Sequence, residues 1–130
     1  ILSIAAKKLG AGNVDSVEYD PECEANFYEN LELNGITEKT QFHHGDVLNW
    51  NRLNYDLILA NLNQTVFQEL IPNFDTTNAK VILSGLLAIN YSTIEQLFHS
   101  ISFEIKENII KGEWLCVYAL YSTKYKKIAL

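Results

Sequence analysis

The sequence predicts an α/β fold in which helices cover both faces of a mostly parallel sheet. Segments with apolar residues at helical spacing alternate along the 130 residues with short apolar runs of strand length, which is typical of sheets with crossover helices. The last two strand segments are joined by Lys111-Gly112-Glu113, a turn suited to a terminal antiparallel hairpin. The predicted order of elements is therefore α, β, α, β, β, α, β, α, β, β.

The first three elements are defined by their end signals. Ile1 to Leu9 carries apolar residues on one helical face and is followed by Gly10, a common helix stop. Val14 to Tyr19 is a short strand-like run. Asp20-Pro21 predicts the start of the next helix, because Asp can cap free N–H groups and Pro fits the first turn. Asn34-Gly35 predicts the end of that helix.

The remaining elements are predicted from apolar runs and from breakers. The unbroken apolar centre of Tyr55 to Asn61 predicts a strand that is buried on both faces, and Pro72 stops the helix that follows it. In chain order, the predicted elements are a strand over Gln41 to His44, a strand over Tyr55 to Asn61, a helix over Thr65 to Ile71, a strand over Lys80 to Ser84, a helix over Ser92 to Ser100, and strands over Phe103 to Ile110 and Trp114 to Ser122.

Composition excludes several classes of function. The chain has 16 acidic and 10 basic side chains and a net charge of −6, whereas non-specific binding to nucleic acid needs clustered Lys and Arg. No run approaches the roughly 18 apolar residues of a membrane span. Cys23 and Cys116 form no C-x-x-C pair, so we expect reduced thiols in a cytoplasmic protein. We expect no nucleic-acid, membrane or metal partner, and the sequence gives no signal of oligomeric state.

Polar residues follow the predicted strands at the edge where open parallel sheets bind their ligands. Glu18 could accept both hydroxyls of a ribose, or could be an ordinary exposed charge. Asp20 is better explained as a helix cap. The other candidates at strand ends are Asp46, Asn61, Ser84 and Gly85.

Several short segments follow one another along the chain in a characteristic order and spacing. They are Ile1 to Ala6 with Leu9-Gly10-Ala11, Val17 to Pro21, Glu29-Asn30 with Leu33-Asn34-Gly35, Gly45-Asp46, Tyr55 to Leu62, Ile82 to Leu87, and Gly112-Glu113-Trp114. Together these segments resemble the class I S-adenosylmethionine-dependent methyltransferases and, among these, most of all the ribosomal protein L-eleven methyltransferases, which modify amino groups of a large-subunit protein. The resemblance covers Ile1 to about Tyr121 and implies a Rossmann-like sheet.

The resemblance implies S-adenosylmethionine as cofactor and assigns its adenosine end to four residues. Glu18 would hold the ribose hydroxyls, and Tyr19 would lie against the adenine face. Asp46 would contact the adenine amine, with Val47 nearby. From the residues alone, Tyr19 could equally be a strand residue that packs on a helix.

The resemblance assigns the methionine end of the cofactor to two further residues. Asn61 would face the methionine end and the incoming amine, which makes it the candidate catalytic residue, and Leu62 would lie beside it. The alternative for Asn61 is that it merely terminates a strand.

Residues 1–130 are therefore expected to form a single methyltransferase catalytic domain that is incomplete at its N-terminus. The chain opens at Ile1 without methionine, and the family's first strand and glycine-rich loop should come before it. That strand would lie in the middle of the sheet, so Val14 to Tyr19 and Tyr55 to Asn61 would lack a shared partner.

The leading hypothesis is a methyltransferase that acts on amino groups of a protein, with a ribosomal protein as acceptor. Because the sulfonium cofactor is already reactive, such an enzyme mainly aligns the amine with the methyl group and excludes water. One alternative is a non-catalytic, methyltransferase-like remnant or interaction module. A nucleotide-binding oxidoreductase is a further alternative, although no nicotinamide site can be found in the sequence.

Overall fold

The computed structural model describes residues 1–50, 54–76 and 78–125. The chain divides into two compact units, an N-terminal unit over Ile1–Trp50 and a C-terminal unit over Asn51–Leu130. None of the helices in the described ranges is long and apolar enough to cross a membrane.

The N-terminal unit is a pair of parallel strands with two helices. Its elements are α1 (Leu2–Lys8), β1 (Val14–Glu18), α2 (Cys23–Leu33) and β2 (Thr40–His44). The two strands pair from Val14 opposite Thr40 to Glu18 opposite His44. Their carboxyl ends therefore lie side by side at one edge, as parallel pairing requires.

Helix α2 ends as its sequence predicts. Gly35 adopts φ +67°, and the Ile36 N–H donates to the Leu31 carbonyl at 2.9 Å, which closes the last turn with a hydrophobic residue. Leu31 is buried in this unit together with Phe42 of β2. Phe27 packs its ring 5.4 Å from the ring of Phe42, so α2 is held against β2 by aromatic contact.

The described residues of the C-terminal unit form a four-stranded mixed sheet with two α-helices. Its elements are β3 (Leu57–Asn61), α3 (Gln64–Leu70), β4 (Lys80–Leu87), α4 (Tyr91–Ser100), β5 (Phe103–Lys111) and β6 (Trp114–Tyr121). The strand order is β3-β4-β6-β5. β3 and β4 pair in parallel, whereas β6 runs antiparallel to both of its neighbours. The predicted α/β class and the terminal antiparallel hairpin are thus confirmed.

An aromatic core holds this second sheet to its helices. Phe67 of α3, Phe98 of α4 and Phe103 of β5 have no exposed surface. The ring of Phe98 lies 5.1 Å from that of Phe67 and 6.2 Å from that of Phe103. Each buried ring contributes about 1.5–3 kcal/mol by removal from water, so this chain of rings is a main source of stability for the unit.

Besides small shifts at the ends of several elements, three predicted features differ from the structure. Helix α2 begins at Cys23, after a turn over Pro21 and Glu22, so Asp20 does not cap this helix as predicted. Strand β3 is half-buried rather than fully buried, with Leu57 42% exposed, because it has a strand neighbour on one side only among the described residues. Strand β4 does not end at Ser84 and Gly85 but continues to Leu87.

Candidate functional site

The ends of β1 and β2 bring the predicted adenosine-binding residues of the N-terminal unit together. Glu18 is the last residue of β1 and pairs in register with His44, the last residue of β2. Asp46 follows His44 by two positions along the chain. The Gly45 N–H donates to the Glu18 carbonyl at 2.9 Å, which ties the two strand ends to each other. Both carboxylates therefore lie at the same edge.

Tyr19 lies one residue beyond β1 and is 74% exposed. The interpretation of this ring as a strand residue packed on a helix is therefore wrong. His44 Nε2 donates to the Tyr19 carbonyl at 3.1 Å, so the backbone that carries the ring is fixed by the neighbouring strand. An exposed ring on a fixed backbone can stack on a planar ligand.

Asp46 also organises the loop that carries Val47. Its Oδ1 accepts a hydrogen bond from the Leu48 N–H at 2.9 Å, and its carbonyl accepts one from the Asn49 N–H at 3.0 Å. Asp46 thereby caps a short 3-10 turn over Val47–Asn49. The carboxylate is held at the end of β2 by its own loop, and Val47 is half-buried beside it.

The edge that carries Glu18 is strongly acidic. Partial burial raises the pKa of the Cys23 thiol, and the nearby charges of Asp20, Glu18 and Glu22 raise it further. This thiol stays protonated at neutral pH, so it is not an activated nucleophile. Asp20 Oδ1 accepts from the Glu22 N–H at 2.9 Å, which gives Asp20 a turn-forming role just before α2.

A second cluster lies at the end of β3 in the C-terminal unit. Asn61 is the last residue of β3, is exposed, and pairs in register with Ser84 of β4. The Leu62 N–H donates to the Ser84 carbonyl at 3.0 Å. The chain then enters α3, where Asn63 Oδ1 accepts from the Val66 N–H at 3.0 Å and caps the helix. Asn61 and Leu62 are thus held between a paired strand and a capped helix.

Gly85 also belongs to this second cluster, because it lies directly against Asn61 and Leu62. The sequence analysis did not predict this close approach. It adopts φ +83°, and a Cβ at this position would lie against Asn61 Oδ1 and only 2.9 Å from the Leu62 carbonyl oxygen. The available signal was the single glycine inside the apolar run from Val81 to Leu87, since a glycine within a strand often marks a bulge or a close approach.

Several solved methyltransferases share this fold at low sequence identity. An RNA methyltransferase from Salinibacter ruber in complex with S-adenosyl-L-homocysteine matches with a TM-score of 0.72 at 13% identity, over 94% of this chain and 74% of that one. A putative methylase, HI0767 from Haemophilus influenzae, matches with a TM-score of 0.72 at 11% identity, over 93% of this chain and 80% of that one. The fold is that of the α/β methyltransferases.

The particular family follows from closer matches. The model of the family "Ribosomal protein L11 methyltransferase (PrmA)" matches residues 1–121. A ribosomal protein L11 methylase from Lactobacillus delbrueckii subsp. bulgaricus has a TM-score of 0.84 at 31% identity, over 93% of this chain and 64% of that one. The chain belongs to the ribosomal protein L11 methyltransferase family.

Curated relatives show how much of such a protein this chain represents. The ribosomal protein L11 methyltransferase of Lactobacillus johnsonii is 34% identical over 118 residues, which are 88% of this chain and 37% of the relative. That of an Exiguobacterium species is 30% identical over 122 residues, 92% of this chain and 39% of the relative. The chain therefore spans less than half the length of these relatives.

Proposed function

We propose that the protein containing this chain transfers methyl groups from S-adenosylmethionine to amino groups of a ribosomal protein. One observation supports this proposal above all: in a chain of this family, Glu18, Asp46 and the exposed ring of Tyr19 all lie at or just beyond the carboxyl edge of two parallel strands. That edge is where open α/β sheets bind nucleosides.

The residues of the N-terminal unit fit an adenosine group. Glu18 can accept hydrogen bonds from both ribose hydroxyls, because an ionised carboxylate has two acceptor oxygens. The exposed ring of Tyr19 offers an apolar face to a purine. Asp46 is held by its own capping turn and can accept a hydrogen bond from an exocyclic amine. A ribose and an adenine need these three kinds of contact.

The residues of the C-terminal unit fit the task of positioning an amine. When bound, S-adenosylmethionine supplies a methyl group on a positively charged sulfur. The Asn61 amide can hydrogen-bond to an incoming amine and orient its lone pair, and Leu62 can help to exclude water from it. Because alignment alone accounts for much of such a reaction, this set of residues needs no strong base.

We further propose that residues 1–130 belong to one catalytic domain, since the family match runs through both compact units. A cytoplasmic location fits the two cysteines, which are free thiols, as expected in a reducing compartment. The net charge of −6 is compatible with electrostatic attraction of a basic protein acceptor, although a charge of this size does not identify the acceptor.

Mass spectrometry of a ribosomal protein acceptor tests the proposed activity. The complete protein is incubated with S-adenosylmethionine and the acceptor, and we expect mass increases of methyl groups on acceptor amines. An acceptor whose amines have been acetylated beforehand serves as control and should gain none. A complete protein that binds S-adenosylmethionine but methylates neither acceptor would contradict the activity, and one that does not bind it would favour a non-catalytic remnant.

A further inference from the structure

Gly85 lies at an irregularity of β4 that faces the end of β3. The register of β4 with β6 shifts between Leu83 and Leu86, and Gly85 adopts φ +83° within this bulge. A Cβ at Gly85 would touch Asn61 Oδ1 and would lie 2.9 Å from the Leu62 carbonyl oxygen and 3.1 Å from the Leu62 nitrogen. Real Cβ atoms essentially never approach other heavy atoms closer than 3.0 Å.

The backbone on the far side of this contact is held by hydrogen bonds. The Leu62 N–H donates to the Ser84 carbonyl at 3.0 Å, and Ser84 Oγ donates to the Ala60 carbonyl at 3.3 Å. Asn61 itself pairs with Ser84 in the parallel register. Because the backbone is fixed, a side chain at Gly85 would displace the Asn61 side chain first, as a single exposed rotamer moves at less cost than a paired strand.

We propose that Gly85 is a positioning residue. Because it has no side chain, it leaves free the space that the Asn61 amide occupies at the end of β3. This role rests on the proposed function, in which Asn61 orients the acceptor amine. A methyl group at Gly85 occupies the space of the Asn61 amide and turns it away from that amine. Misplacement of a reacting or orienting group by about 1 Å can cost roughly 100-fold in rate.

The chain provides a matched control for backbone strain. Gly112, in the turn between β5 and β6, also has a positive φ of +61°, but a Cβ there would meet nothing within 4 Å. Gly112→Ala therefore introduces left-handed strain without a contact, whereas Gly85→Ala introduces both. The difference between the two variants isolates the contacts that a side chain at position 85 makes with Asn61 and with the Leu62 backbone, and the double variant with Asn61→Ala separates these two contacts.

The kinetic test compares Gly85→Ala, Gly112→Ala, Asn61→Ala and the double variant Gly85→Ala/Asn61→Ala in the complete protein. We expect Gly85→Ala to lower kcat for methyl transfer by roughly 10- to 100-fold, and Gly112→Ala to leave it unchanged. In the Asn61→Ala background, Gly85→Ala should change kcat by less than about threefold, since two residues that act through one group are not additive. Equal losses in the two glycine variants, or losses that multiply fully in the double variant, would overturn the proposal.

A spectroscopic test does not depend on methyl transfer. The side-chain amide signal of Asn61 in a nitrogen-15 NMR spectrum should move in Gly85→Ala and stay in place in Gly112→Ala. An unmoved signal in Gly85→Ala overturns the positioning role, even if the protein is an active methyltransferase. A moved signal in a protein without activity supports that role and contradicts the proposed function instead.

Folding of the double variant covers the case in which Gly85→Ala does not fold. Removal of the Asn61 side chain relieves the closest of the contacts at Gly85. We then expect Gly85→Ala/Asn61→Ala to recover a cooperative melting transition. A double variant that stays unfolded would show that Gly85 accommodates the Leu62 backbone instead of the Asn61 side chain, and would overturn the proposal.

Discussion

Strands β1 and β3 each have a strand neighbour on one side only, in the part of the chain that the structure describes. Each is five residues long, and alternate residues of a strand turn their N–H and C=O groups to the same side. An open edge of this length presents roughly four to six backbone groups. We predict that in the complete protein a further strand covers the outer edge of each.

The size of this effect follows from the number of hydrogen bonds. Each backbone bond contributes about 0.5–1.5 kcal/mol net, so pairing one such edge adds on the order of 5 kcal/mol. That is a large part of the roughly 5–15 kcal/mol that stabilises a typical domain. We therefore expect residues 1–130 alone to be much less stable than the same residues in the complete protein.

Hydrogen exchange of backbone amides measures this difference directly. The outward amides of β1 and β3 should exchange quickly in residues 1–130 alone and slowly in the complete protein. Strand β6 is the internal control, because it has neighbours on both sides within this chain and should be the better protected strand in the isolated segment. Equal protection of the β1 and β3 edges in both proteins would show that no further strand covers these edges in the complete protein.

Three further predictions concern the core and the charged groups. Phe98→Ala should cost about 3–5 kcal/mol in urea unfolding, since Phe98 has no exposed surface; a cost below about 1 kcal/mol would contradict its place in the core. Glu18→Gln removes one of the charges that raise the Cys23 pKa, so alkylation of Cys23 at mildly alkaline pH should be faster. An unchanged rate would show that the charge of Glu18 does not act on the Cys23 thiol. The hydrogen bond from Lys106 Nζ lowers the pKa of Glu104. This interaction stabilises the fold fully above the ordinary pKa of Glu, and the stabilisation is lost as the pH falls through the lowered pKa. The difference in free energy of unfolding between wild type and Lys106→Gln should therefore decrease from pH 6 to pH 3. A difference that does not change with pH would show that it does not come from the ion pair of Lys106 with Glu104.

Features that depend on neighbouring residues in the sequence were predicted well. Asn34-Gly35 ends α2 with the expected left-handed glycine, and the hairpin forms around Gly112 at φ +61°. These signals are local, because a left-handed backbone is accessible to glycine wherever the chain needs it. The positions of Glu18 and Asp46 at one edge were also predictable, since parallel strands bring their carboxyl ends together.

Features that depend on distant partners were not predicted. Strand β4 continues past Gly85 because β6, about 30 residues further along the chain, pairs with Leu86 and Leu87. The close approach of Gly85 to Asn61 likewise requires the register of β3 against β4. The single glycine within the run from Val81 to Leu87 indicates a bulge or a close approach, but it does not indicate which residue lies opposite. One local signal was also missed. The predicted helix starts at Thr65, whereas α3 starts at Gln64, directly after Asn63, which is a typical capping residue.

Calorimetric titration of the complete protein with S-adenosylmethionine tests whether the ends of β1 and β2 bind the adenosine group. Glu18→Ala should weaken binding by roughly 10- to 100-fold, the equivalent of losing charge-assisted hydrogen bonds of about 1.5–3 kcal/mol. Glu38→Ala is the matched control, since Glu38 is an exposed acid just before the opposite end of β2, and its affinity should equal that of the wild type. An affinity of Glu18→Ala equal to that of wild type would contradict the claim.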